Sequence, residues 1–131
     1  MRRFSPALIG TALLWPVTIL AEPDADRGEA LYSARCSACH AVDDNGPGPM
    51  HHGIVGCRAG TQPGYRYSPA LSSTDLVWSA STLDRWLADP DALVPGNHMR
   101  VRLANDADDR ADLVAYLERI SLTPGRCQKA P

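Results

Sequence analysis

The stretch Cys36-Ser37-Ala38-Cys39-His40 decides how the rest of this 131-residue chain is read. Two thiols stand three positions apart, and an imidazole follows directly. On a helical turn, positions i and i+3 share a face, so both thiols can reach one object. Three chemistries use such a pair. A closed zinc site needs four ligands, normally from a second pair at similar spacing. Cys57 and Cys127 are far apart and neither has such a neighbour. A thioredoxin-like redox site belongs in a βαβ setting, and no convincing strand pattern occurs here. The third is covalent haem attachment, in which both thiols add across the vinyl groups of a haem and His40 offers a ring nitrogen to the iron. A structural disulfide between Cys36 and Cys39 is the plainer alternative. The spacing and the absence of strands favour haem.

Working towards the N-terminus, Arg2 and Arg3 precede a mostly apolar run from Pro6 to Leu20, and Ala21 stands before an acidic "EPDAD". This is the pattern of a secretory signal peptide. The run is interrupted by Gly10, Thr11, Pro16 and Thr18, and falls short of the roughly 18 apolar residues of a spanning helix. Cleavage after Ala21 is expected, with an uncleaved anchor as the alternative, leaving one domain over residues 22–131. Cleavage removes two arginines and no acid, so eleven basic residues face fifteen acidic ones. That balance argues against nucleic acid as a partner. A chain of this size has a modest core, and its only phenylalanine, Phe4, leaves with the signal. A large apolar cofactor at the centre would help it fold.

Towards the C-terminus the pattern is helical, with long loops. "DADRGEALYSARC" reads as a helix capped by Asp26, with Glu29 at capping-box spacing. Residues 42–69 are rich in Gly and Pro without a sustained period, and a loop that long in a small domain usually wraps something functional. Ser68-Pro69 can open one short helical turn. "STLDRWLADP" predicts a helix with Ser81 as cap, Leu83, Trp86 and Leu87 on one face, and Pro90 as stop. "DALVPGNHMRVRLAN" reads as loop. Leu113, Tyr116, Leu117 and Ile120 stand at i, i+3, i+4 and i+7, the clearest helical stripe in the chain. The tail from Thr123 looks irregular. The expected class is all-α.

An iron held on one side by His40 needs a sixth ligand or an open site. Met50, His51, His52, His98 and Met99 are the candidates, and "VPGNHM" lies in a loop between two helices. The ordered set of Gly28, Tyr32, "CSACH", "GPMHHGIVG", "PGYRYSPAL", Trp78, "TLDRWLADP", "VPGNHM" and "RADLVAYL" resembles the class I c-type cytochromes. Mitochondrial cytochrome c and its small soluble bacterial relatives are of this kind. The resemblance runs through nearly all of residues 24–122.

It implies a cytochrome c fold, with crossing terminal helices and long loops around one covalently attached haem c. It implies thioethers at Cys36 and Cys39, and His40 as proximal iron ligand with its other ring N–H donated to the Pro49 carbonyl. Met99 is implied as the sixth ligand, and Tyr65, Tyr67 and Trp78 as hydrogen-bonding around a haem propionate. Gly28 and Tyr32 are implied to pack against Leu113 and Tyr116. His51 and His52 read as loop or surface residues. His98 reads as an exposed loop residue, with a ligand exchange from Met99 as the sharper idea. A thioether favours ferrous iron, and two filled axial positions suit a carrier. The implied activity is therefore single-electron transfer, not an enzyme reaction.

The departures from the family matter too. Cys57 stands where an arginine near a propionate is common, and Cys127 lies in a tail beyond the last helix. After export the two are expected to pair rather than stay free, stabilising the fold by about 4 kcal/mol at best. Lys129 is the only lysine. Arg35, Arg85, Arg100 and Arg102 offer a smaller positive patch, and Asp91 replaces a lysine of the pattern. The expectation is a periplasmic monomer, without stable membrane insertion, exchanging electrons with redox protein partners. Two other readings stay open: a membrane-tethered cytochrome subunit of a dehydrogenase, and a haem enzyme or sensor if Met99 is not on the iron.

Overall fold

The computed structural model describes residues 22–129, so the expected signal peptide, residues 1–21, lies outside the described residues. Five helices follow in order: α1 (Ala25–Arg35), α2 (Pro69–Ser72), α3 (Ala80–Ala88), α4 (Pro90–Leu93) and α5 (Ala107–Arg119). Among the described residues there is no named strand, only isolated bridges between Cys57 and Lys129 and between Arg58 and Val77. The all-α expectation holds.

The helix starts differ in detail from the sequence reading. α1 is capped by Asp24, not Asp26; its carboxylate accepts from the Asp26 and Arg27 N–H groups at 2.9 and 3.1 Å. Arg27 then occupies the third helical position, and it reaches instead for Asp109 and Asp112 of α5. α3 begins two residues earlier than expected, because Ser79 and Thr82 form a reciprocal capping box. Pro90 stops α3 but also starts α4, with Asp89 accepting from the Ala92 N–H. Proline fits there because a first-turn N–H has no intrahelical partner to lose. Ser68 caps the short α2, as the Ser-Pro pair suggested.

The architecture depends on α1 crossing α5. Gly28 makes the crossing possible: a Cβ at that position would lie 2.0 Å from the Asp112 carbonyl oxygen and 2.9 Å from the Tyr116 Cβ. Only glycine lets the two backbones approach this closely. Tyr32 packs on Tyr116 with ring centroids 5.2 Å apart, and Leu113, Val114 and Leu117 fill the same core. α3 lays Leu83 and Leu87 on this cluster. The crossing is also clamped by charge. The Asp112 carboxylate accepts from the Asp24 backbone N–H at 2.7 Å and from Arg27. At the other end, Arg119 pairs with Asp26 and Glu29 and lies over the Tyr116 ring.

A second, smaller core of Ala59, Leu71, Trp86 and Val94 sits beyond α3, and both Trp78 and Met99 pack against the two clusters. The tail is not free. Cys127 is bonded to Cys57, with Cα atoms 5.9 Å apart, and the Lys129 ammonium donates to the Gly53 and Val55 carbonyls. The expected pairing is present. The loop over residues 36–68 and the segment over residues 94–106 close around a cavity between the two cores.

Candidate haem site

The site begins where α1 ends. Cys36 is the C-terminal cap, and the Cys39 and His40 N–H groups both donate to the Cys36 carbonyl, at 3.0 and 2.9 Å. This tight turn keeps the motif compact and points it into the fold. Cys36 and Cys39 are not bonded to each other, which removes the structural-disulfide alternative for this pair. Burial pushes the Cys36 thiol up to about 11, so it is held as a neutral thiol.

His40 is oriented by the loop that follows. Its Nδ1 lies 2.8 Å from the Pro49 carbonyl oxygen. A carbonyl can only accept, so Nδ1 carries the proton and Nε2 keeps its lone pair. Burial holds the ring below the usual imidazole range, against the opposing pull of the Pro49 carbonyl. Gly48 leaves the space for it: a Cβ there would come within 2.4 Å of the His40 ring. The Gly48 N–H donates to the Cys39 carbonyl at 2.7 Å, drawing the loop back onto the motif. Metal ligands are commonly fixed in this way, by a hydrogen bond from the nitrogen that does not bind.

Cys36, Cys39 and His40 open into a cavity of about 370 Å³, whose walls are mostly apolar and include Leu83, Trp86, Leu113 and Leu117. Met99 lines the same cavity, as do Pro49, Tyr65, Tyr67 and Trp78. All eight residues expected at a haem site from sequence therefore meet around one space. The residues fit a large flat apolar group with a metal at its centre. They offer two unbonded thiols, an imidazole with a free Nε2, a thioether and few charges.

The Met99 side is held by contacts that sequence reasoning did not single out. The Trp86 indole N–H donates to the Met99 sulfur at 3.1 Å. Asn97, 1% exposed, takes the Met99 backbone N–H on its side-chain oxygen at 2.8 Å. Its amide donates to the Val94 carbonyl and to Asp91. An asparagine two residues before the methionine, directly after a Pro-Gly pair, was the available signal.

The remaining residues singled out from the sequence make these contacts. The Tyr65 hydroxyl donates to the Pro47 carbonyl at 2.7 Å, within the proximal loop. Tyr65 and Tyr67 pack edge to face with centroids 4.8 Å apart, and burial pushes the Tyr67 phenol up to about 12. Trp78 packs edge to face on Trp86. His98 is exposed at the cavity mouth, as the plainer reading had it. His51 lies in the loop, as read, but is half-buried rather than exposed. It lines the cavity, and its ring stacks on His40 with centroids 4.1 Å apart. Burial, then the nearby His40, holds it well below the usual imidazole range. His52 does face outward, 2.6 Å from Asp43. Three of the four arginines of the expected patch are paired with carboxylates. Arg35 pairs with Asp106 and Asp109, and Arg100 and Arg102 pair with Asp91 and Asp89.

Comparison with known proteins agrees with this geometry. The Cytochrome c family model matches residues 25–121. Cytochrome c2 of Rhodomicrobium vannielii is 37% identical over 120 residues, spanning 89% of this chain and 95% of that one. Cytochrome c of Euglena viridis is 35% identical over 99 residues, spanning 74% and 97% respectively. Among solved structures, cytochrome cH from Methylobacterium extorquens superposes with a TM-score of 0.69 at 40% identity, covering 73% of this chain and 98% of that one.

Proposed function

This chain belongs to the cytochrome c family, whose members carry electrons on one covalently attached haem c, and from that premise we propose that it is a periplasmic single-electron shuttle. In this reading Cys36 and Cys39 would hold the haem through thioethers, and His40 and Met99 would ligate its iron. The observation that carries the reading is the meeting of those four side chains around one apolar cavity. When bound, the haem supplies the one-electron couple of its iron. The protein supplies the rest. Pro49 fixes the His40 tautomer, so its Nε2 is always the free nitrogen. Trp86 and Asn97 hold the Met99 sulfur and backbone in place. Apolar walls keep water out, and a low local dielectric together with thioether ligation raises the potential. Because both ligands are preset by the fold, little needs to move between oxidation states.

The export reading is supported by the Arg2-Arg3 start and apolar run, and by the Cys57–Cys127 bond, which suits an oxidising compartment. No helix among the described residues is long and apolar enough to cross a membrane. Suitable donors are a quinol-oxidising cytochrome complex or a dehydrogenase. Suitable acceptors are a terminal oxidase, a photosynthetic reaction centre or a peroxidase. With Arg35, Arg100 and Arg102 each beside a carboxylate, long-range steering is weak, and association rates should depend only mildly on salt.

The test is spectroscopic. The purified ferric protein should show the methionine-ligation band and resist carbon monoxide when reduced. Met99→Ala should lose the band and bind carbon monoxide. Replacing Cys36 and Cys39 together by Ala should leave any haem extractable. A wild-type protein that lacks the band and takes up carbon monoxide is a sensor or enzyme, not a carrier.

A further inference from the structure

Among the described residues, His51 is the ionisable ring that meets the expected iron ligand face to face. The His40 and His51 planes lie within 23° of parallel at 4.1 Å. His51 is held from three directions. Its backbone N–H donates to the Ala41 carbonyl at 3.1 Å, its ring rests on His40, and its Nδ1 lies 3.1 Å from the Tyr32 hydroxyl. Tyr32 is itself locked by Tyr116 in the α1–α5 crossing. A continuous line of contacts thus runs from the helix crossing through Tyr32 and His51 to the His40 ring.

We propose that His51 is a positioning residue for His40, with Tyr32 as its anchor. The inference rests on the reading that His40 ligates the haem iron. Two constraints then act on that imidazole. The Pro49 carbonyl fixes one ring nitrogen in the plane of the ring. The stacked His51 face fixes rotation of the ring out of that arrangement, which one hydrogen bond cannot do. An alkyl side chain could fill the same space but would supply neither a flat face nor a dipole. The polarity of His51 next to the ligand favours the more charged ferric state, since local dielectric and neighbouring dipoles tune such potentials. Tyr32 matters because it selects the orientation of His51, so its hydroxyl acts on the iron only through that ring.

The experiment uses the haem-loaded protein and the variants His51→Leu, Tyr32→Phe and the double variant. Three readouts are taken: the paramagnetically shifted proton resonances of the His40 ring in the ferric state, the reduction potential, and the denaturation midpoint. His51→Leu should move the His40 resonances and raise the potential. Tyr32→Phe should move both in the same sense by less. In the His51→Leu background, Tyr32→Phe should move neither, because the hydroxyl it removes no longer has its ring partner there. Unshifted His40 resonances in His51→Leu overturn the proposal, as does a Tyr32→Phe effect that adds in full to that of His51→Leu. If His51→Leu does not assemble, Tyr32→Phe alone decides, because it removes one hydroxyl and leaves both rings; unchanged His40 resonances then overturn it. Failure of the underlying reading looks different: the wild type itself would lack His40 axial-ligand resonances, and both readings fall together.

Discussion

The two sides of the cavity are built by opposite strategies. On the His40 side the attachment turn and the hydrogen bond that fixes the ring lie within fourteen residues, from Cys36 to Pro49. The turn closes on the Cys36 carbonyl, Gly48 returns to Cys39, and Pro49 meets His40. On the Met99 side the parts come from separate elements. Trp86 is on α3, Asn97 follows α4, and the Leu103 N–H ties the segment back to the Leu87 carbonyl at 2.8 Å. The first side is local and forms almost as a unit. The second exists only when α3, α4 and the loop beyond them are already packed. Local contacts cost little chain entropy to close, and distant ones cost more. The Met99 side should therefore be the first to open.

The sharpest way to break the local side is Gly48→Ala. The added methyl meets the His40 ring, and overpacking of this kind costs about 1–3 kcal/mol. Haem-loaded yield should fall, and the methionine-ligation band and far-ultraviolet circular dichroism should be lost together on denaturation. Asn97→Ala should separate the two sides instead. It leaves the Met99 N–H without its acceptor, at about 1–3 kcal/mol, but mainly in the Met99 loop. The band should vanish at a denaturant concentration below that of global unfolding. Coincident loss would show that the two sides open as one. Trp86→Phe is milder: loss of one hydrogen bond is worth about 0.5–1.5 kcal/mol. The indole N–H draws electron density from the Met99 sulfur, so its removal should lower the reduction potential.

The smallest expected effect concerns acid. The Asp24 N–H, and after it Arg27, hold the Asp112 carboxyl below the usual carboxylate range. Its contribution to stability is therefore complete above the unfolded carboxylate value and is lost as pH falls through the lower folded value. Asp112→Asn should flatten that part of the acid-denaturation curve without touching the ligation band at neutral pH. A variant that loses the band at pH 7 would mean that the helix crossing reaches the iron site directly.

The legibility of this protein in its sequence follows the same division. Helical periodicity placed α3 and α5, because Leu83, Trp86 and Leu87, and Leu113, Tyr116 and Leu117, are apolar on one face and buried in the structure. Caps were less legible. Asp24 and Ser79 were displaced in the reading by Asp26 and Ser81, which are equally good cap residues; only the neighbouring backbone decides between them. The His51 contact with His40 was not legible for a related reason. "MHHG" contains two adjacent histidines, and nothing local says that one turns inward to stack on His40 while the other turns out to Asp43. The same holds for the arginines. Their number is a property of the sequence, but their neutralisation by Asp89, Asp91, Asp106 and Asp109 depends on which loops lie together.

By itself the sequence determined the chemistry of attachment. Two thiols and an imidazole at fixed spacing need only one turn of backbone, and the turn is short enough for the spacing to dictate it. It also determined the helical class, through stripes that can be buried in only one way. The tertiary structure alone decided what surrounds the ligands: the Trp86 hydrogen bond to Met99, the Asn97 anchor, and the Tyr32–His51–His40 line. These depend on side chains far apart in the chain meeting at angstrom distances. No local pattern encodes such meetings, because each is set by the packing of whole helices against one another.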